Sequence, residues 1–182
     1  MNRPSDWGSF LPHHLDDDIT LTLLSPSDTE AFYVLVDENR EHLRRWFRWV
    51  DGYKSVADAE AFAEDSLRRM AERSGMTCLV WYRDQMAGLV VLLNVDLPKR
   101  QTEIGFWMGK AFERRGIARK AVAALIGHAF DCLGFELILA KVNRENQRSL
   151  ALLEALGFAS EEHDGSIVCR LAKGDWLWAG PL

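Results

Sequence analysis

Cysteine is scarce in this 182-residue chain. There are three, Cys78, Cys132 and Cys169, scattered and without a CxxC pair. That excludes a disulfide scaffold and a cysteine-built zinc site, and predicts reduced core thiols. No apolar run approaches the roughly 20 residues that span a bilayer. Residues 1–12 carry no signal-peptide pattern, so a cytoplasmic protein with no membrane partner is expected. Basic charge is not in excess: the formal net charge is −5, which speaks against a nucleic-acid track. A Walker Gly-Lys-Ser/Thr is missing, and Gly105, Gly109 and Gly116 do not space as GxGxxG. His13-His14 beside Asp16-Asp17-Asp18 could ligate a metal, but a solvated tail is the simpler reading, so no metal site is predicted. Without internal repeats or low-complexity segments, residues 1–182 read as one domain with a sizeable core. Residues 1–18 are expected to be a loose N-terminal arm.

What is present alternates between two periods. Ile19 to Leu24 alternates threonine with aliphatic residues and reads as a strand. Ser25-Pro26, or Ser27 in a capping box with Glu30, predicts the start of a helix running to Asn39. Glu41 to Val50 is expected to continue as a second helix rich in Arg and Trp, and Ser55 to Arg73 as a third. Strands are then expected at Met76–Tyr82, Gly88–Val95 and Thr102–Met108. A long apolar helix follows from Gly116 to Leu133. Glu136 to Val142 reads as the next strand, its Leu137–Ala140 core without polar alternation and so buried on both faces. Asn146 to Leu156 is a further helix. Gly134 and Gly157 suit left-handed helix ends. The tail is expected to form a hairpin of Ile167–Leu171 with Trp176–Trp178. The order β-α-α-α-β-β-β-α-β-α-β-β predicts a mixed sheet with helices packed on it.

The most telling stretch is Lys110 to Lys120. It leaves a strand, carries Arg114, Arg115, Arg119 and Lys120, and opens a helix at Gly116-Ile117-Ala118. Free amides at a helix start, the helix dipole and small residues that admit a ligand make an anion site. In an acidic chain this points to a small phosphate ligand.

Three motifs in order sharpen that reading: Glu103-Ile104-Gly105-Phe106-Trp107-Met108, then Arg114-Arg115-Gly116-Ile117-Ala118, then Asn143-Arg144-Glu145-Asn146-Gln147-Arg148-Ser149-Leu150 closing on Leu156-Gly157-Phe158. Together they resemble the GNAT N-acetyltransferase superfamily, and within it the branch that acetylates ribosomal-protein N-termini, the RimJ/RimL group. His42 to Trp49 is similar to that branch's Trp-containing helix. The resemblance covers Ile19 to about Ser160.

That resemblance implies an α/β (α+β) fold: a mixed, mostly antiparallel sheet of about seven strands, splayed between strands 4 and 5, with helices on both faces. It implies acetyl-CoA as co-substrate, no metal, and direct attack by a primary amine in a ternary complex. The acceptor it suggests is a protein N-terminus, such as that of a ribosomal protein; alternatives are a small amine (amino acid, polyamine or antibiotic) or a non-catalytic acyl-CoA-binding module. A homodimer is expected. By the resemblance, Arg114, Arg115, Gly116, Ile117, Ala118 and Arg119 hold the pyrophosphate, with Glu113 standing where the family has Gln or Arg. Phe106, Trp107 and Met108 flank the pantetheine arm with Asn143 and Asn146. Ser149 matches the residue that protonates the leaving thiolate. Glu103 is the candidate general base, because Thr77 stands where other members carry a carboxylate. Arg45, Trp46 and Trp49 are candidate acceptor contacts, in a groove between the first two helices and the C-terminal hairpin.

Overall fold

The computed structural model describes residues 7, 10–163 and 165–177. A two-residue strand, β1 (His13–His14), pairs antiparallel with β2 (Ile19–Leu23). Ile19 and Leu21 of β2 are buried, while its threonines sit half-exposed, as period-two alternation requires. The described part of the expected loose arm is therefore built into the fold. Trp7 is buried edge-on against Phe135, Leu15 is buried, and Asp16 Oδ1 accepts the amides of Asp18 and Ile19.

A 3-10 turn (Pro26–Asp28) leads into α1 (Thr29–Glu38). The capping box lies two residues earlier than expected, between Ser25 and Asp28, whose carboxylate accepts the Ser25 amide at 2.9 Å. α2 (Arg40–Arg44) is short. The expected helix over Glu41–Val50 breaks at Phe47, which is extended and packs beside Trp49 before a second 3-10 turn, Arg48–Gly52. Arg40 fastens this break by donating to the carbonyls of Val50 (2.5 Å) and Tyr53 (2.6 Å). α3 (Val56–Ala71) starts on a Ser55/Asp58 capping box. A meander follows: β3 (Met76–Tyr82), β4 (Gln85–Asp96) and β5 (Gln101–Met108). Then come α4 (Ile117–Asp131), β6 (Leu137–Asn143), α5 (Gln147–Ala155), β7 (Ala159–His163) and β8 (Ser166–Ala172).

The eight strands form one sheet in the order β1-β2-β3-β4-β5-β6-β8-β7. The C-terminal hairpin pairs β8 with β7, which precedes it, and Trp176 and Leu177 are not in a strand. The exposed polar run of β7 hides its strand character from hydropathy, whereas Trp176 looks strand-like but packs on Phe130 after a 3-10 turn. Trp178 lies outside the described residues.

Helices cover both faces. α4 lies on one face, with Leu125, Ile126 and Phe130 fully buried among Val90, Ile104, Phe135 and Ile138. Each such side chain contributes about 1.5–3 kcal/mol of burial. α1 and α3 cover the other face, over Leu79, Leu89 and Trp107. Cys78 and Cys169 are buried and Cys132 exposed, and burial pushes the Cys78 thiol up to about 12.

β5 and β6 place the site. Among the described residues they are the only parallel neighbours in the sheet, and they pair only at Gln101–Glu103 with Leu137–Leu139. Beyond that they part: β5 stays on β4 to Met108, and β6 stays on β8 to Asn143. This is the expected splay between the fourth and fifth strands of the sequence reading.

Candidate active site

The cleft opened by the splay continues into a cavity of about 650 Å³. Phe106, Trp107 and Met108 form one wall, Asn146 and Ser149 the opposite wall, and His42 to Phe47 the third.

The β5 wall presents main-chain donors. Gly109 N–H donates to Ala87 O across β4 at 2.8 Å. Antiparallel ladders alternate, so with Leu89 opposite Trp107 and Gly88 opposite Met108, the amide of Trp107 also turns to β4. The amides of Phe106 and Met108 turn the other way, toward the side that β6 has vacated. Those are donors for a pantetheine chain or a developing oxyanion. Gly88 is required here: a Cβ on it would stand 2.2 Å from Trp107 O.

At the far end of β5 the chain turns through Lys110–Phe112 and enters α4. Gly116 is left-handed, with φ +76°, and the space where its Cβ would stand is open. Lys120 N–H makes its helical bond to Gly116 O, so the amides of Ile117 and Ala118 come before the first i→i−4 bond of the helix. Those two amides, the positive end of the α4 dipole and open approach suit a pyrophosphate. Arg114, Arg115 and Arg119 stand exposed on this loop, outside the cavity lining, and Arg115 leans over the Tyr82 ring. Of the predicted loop residues, Ala118 lines the cavity, and Ile117 is buried as an anchor for the helix.

α5 supplies the opposite wall. Asn146 is its N-cap, and its Oδ1 accepts the Ser149 amide at 3.2 Å. That bond fixes the first turn, and Ser149, half-buried, makes no side-chain hydrogen bond among the described residues. Its hydroxyl is therefore available to a ligand in the cavity. Asn143 ends β6, and its Oδ1 accepts the Glu145 amide; it shapes the turn and does not line the cavity.

Two predicted residues fall elsewhere. Glu103 sits at the closed end of the splay, only 13% exposed, and accepts a 2.7 Å hydrogen bond from Lys141 Nζ. It does not line the cavity, because strand alternation gives it the face of Trp107 but four residues, or about 13 Å, away along the strand. Trp49 stacks among Phe47, Tyr53 and Trp107 outside the lining. Arg45 and Trp46 do line it, with the Arg45 guanidinium 5.5 Å from the Trp46 ring centroid. The β7–β8 hairpin contributes no lining residue, and the third wall comes from the α2 segment.

Two features escaped the sequence reading. Glu113 Oε1 stands 3.0 Å from His42 Nε2 of α2, and Oε2 pairs with Arg148 of α5, so one carboxylate joins three elements around the cavity. Trp107, 6% exposed, has an indole N–H with no acceptor among the described residues. Spacing signals neither, since both arise from contacts distant in sequence.

Comparison with known proteins agrees with this geometry. The family model "Acetyltransferase (GNAT) domain" matches residues 18–159. The chain is 32% identical over 149 residues to "Putative ribosomal N-acetyltransferase YdaF" of Bacillus subtilis, covering 81% of each protein. It is 24% identical over 149 residues to a spermidine N(1)-acetyltransferase of Vibrio cholerae, covering 82% of this chain and 83% of that one. Its fold matches RimL, the ribosomal L7/L12 α-N-protein acetyltransferase solved with coenzyme A, with TM-score 0.83 and 18% identity over 87% of this chain and 96% of that one. The chain belongs to the GNAT acetyltransferase family, and it is an acetyl-CoA-dependent N-acetyltransferase. When bound, acetyl-CoA supplies the acetyl group as a thioester with a thiolate leaving group. The residues present fit it: the α4 amides would take its phosphates, the Phe106 and Met108 amides its arm, and the Ser149 hydroxyl would stand at the cavity as a proton donor.

Proposed function

We propose that this enzyme acetylates the α-amine of a protein N-terminus, with a ribosomal protein as the acceptor class, in the cytoplasm and as a homodimer. The carrying observation is the charge balance of the cavity. Its lining holds three carboxylates, Glu41, Glu113 and Glu145, against three cations, Arg45, Lys110 and Arg148. Glu113 is already engaged by His42 and Arg148. A polyamine requires an excess of carboxylates, because each unpaired ammonium inside a cleft costs desolvation. A peptide N-terminus brings one amine and a run of backbone carbonyls. The Arg45 guanidinium, exposed in the cavity lining, is a donor suited to such carbonyls.

Among relatives, the name of the 32% identical one speaks of a ribosomal acceptor, while the 24% identical one is named for spermidine. Both names keep an amine acceptor, and the charge balance favours the peptide. Cytoplasmic placement accords with the reduced-thiol reading of the cysteines. The homodimer rests on likeness to the RimJ/RimL branch, and sedimentation of the purified protein tests it.

Ser149 and the Asn146 cap serve the same end: a hydroxyl held on a rigid first turn protonates the departing sulfur. Amides of Phe106 and Met108 stabilise charge developing on the carbonyl oxygen. The experiment is thiol release from acetyl-CoA with peptides bearing N-terminal alanine or serine, and with spermidine. Mass spectrometry then locates the acetyl group. Acetylation at the peptide α-nitrogen is expected; turnover of spermidine alone would overturn the proposal.

A further inference from the structure

Acetyl transfer to an amine needs the ammonium proton removed before the nitrogen can attack. The side chain predicted for that task, Glu103, lies outside the cavity and holds Lys141. The titratable and charged groups that do line it are His42 with Glu41 and Arg45 from the α2 segment, Lys110 and Glu113 from the loop after β5, and Glu145 and Arg148 from α5. Arginine and lysine stay charged near neutrality and cannot accept a proton. Glu41 and Glu145 stand exposed at the rim. Glu113 has both oxygens occupied by His42 and Arg148. That leaves an imidazole, the side chain type that exchanges protons near neutral pH.

We infer that His42 is the general base of the acetyl transfer, and that Glu113 is the positioning residue that orients it. His42 is half-buried, and its Nε2 lies 3.0 Å from Glu113 Oε1. A carboxylate only accepts, so the hydrogen belongs on Nε2. Nδ1 is then unprotonated, and it makes no hydrogen bond among the described residues. The proton leaves the acceptor ammonium for Nδ1, the carboxylate neutralises the imidazolium formed, and Nδ1 returns the proton to water.

The pair is mounted on rigid parts. Leu43, next to His42, is 1% exposed and anchors α2. Asn39 Oδ1 at the start of α2 accepts the Lys110 amide at 2.8 Å, tying α2 to the loop that carries Glu113. Arg148, which takes the second oxygen of Glu113, neighbours Ser149. The dyad is thereby linked to the wall that bears the proposed proton donor. The departure of Glu113 from the family's Gln or Arg is, on this reading, a gain: a neutral or cationic side chain there cannot hold an imidazolium.

The inference rests on the acetyl-transfer reaction and not on the acceptor, so its test has two independent arms. The first uses acetyl-CoA with an N-terminal alanine hexapeptide. His42→Gln is expected to lower kcat at pH 7 by about 10²–10³-fold, within the range of general-base losses. Calorimetry should find acetyl-CoA affinity kept within about twofold, since a base contributes to the chemical step and not to ground-state binding. The deficit should narrow as pH rises toward the peptide amine's own pKa, about 8. Near-wild-type kcat, or a deficit independent of pH, would overturn the inference. The second arm reads nitrogen-15 imidazole spectra of the free protein. Wild-type and Arg148→Ala proteins should carry the His42 hydrogen on Nε2, and Glu113→Ala should lose that preference. A hydrogen on Nδ1 in the wild type would overturn the inference without any acceptor. Should the wild type acetylate neither the peptide nor spermidine, only the acceptor proposal falls, and the spectra decide the base.

Discussion

Replacing Gly88 by alanine should damage the active site from the outer side of its β5 wall. Gly88 lies on β4 opposite Met108. A Cβ built there would meet Trp107 O at 2.2 Å, Met108 Cα at 2.8 Å and Met108 Sδ at 2.9 Å. The sulfur is at the end of a flexible side chain and can swing away. The carbonyl and Cα are backbone, held close to β4 by the Gly109–Ala87 hydrogen bond. Relief requires the end of β5 to retreat by about 1 Å, and overpacking of this kind costs about 1–3 kcal/mol. In a domain of this size 1 kcal/mol shifts Tm by about 2–4 °C, so a loss of roughly 2–12 °C is expected. The same retreat moves the Phe106 and Met108 amides, and a misplacement of about 1 Å at a reacting centre costs about 100-fold in rate. The assay is thermal unfolding together with kcat/KM for acetyl-CoA. Gly174→Ala is the control, because a Cβ there meets nothing within 4 Å. A Gly88→Ala protein with wild-type Tm and kcat/KM would refute the placement of the donors on β5.

Asn146→Ala removes the cap of α5 and should cost about 1 kcal/mol of stability. It should also raise KM for acetyl-CoA, because Ser149 loses the bond that fixes its turn. Glu103→Gln should leave kcat/KM within about threefold of wild type, since its carboxylate is spent on Lys141 away from the cavity and surface pairs contribute little. His128, stacked on Phe10 and 4% exposed, is pushed down to about 4 by burial, with nearby His13 adding to the effect. The unfolded chain, with histidine near 6.5, binds the proton first, so the native state loses stability as pH falls from about 6.5 to 4. The loss is about 2–3 kcal/mol, and His128→Phe should flatten that part of the profile in urea titrations.

The phosphate loop and the α5 motif were legible because their chemistry is local: a left-handed Gly116, small neighbours and a capping Asn146 within a few residues. The splay was legible through resemblance. The placement of Glu103 was not, because alternation gives the face of a residue and not its height along the strand relative to where β6 departs. β1 is two residues long and has no period to detect. β7 is missed because its exposed Ser160, Glu161 and Glu162 resemble a loop. Trp46 and Trp49 share one short segment, yet the break at Phe47 turns one into the cavity and the other into the aromatic cluster. The Glu113 bridge draws together residues 42, 113 and 148, whose meeting only the packed fold reveals.

Acetyl-CoA is expected to act in the cleft between β5 and β6, and backbone amide spectra of the protein titrated with acetyl-CoA test this. The largest shifts are expected at Phe106, Met108, Gly116 to Arg119 and Asn146 to Ser149, with quiet amides along α3 and β7. Shifts centred on α3 or β7, with those amides unmoved, would contradict it.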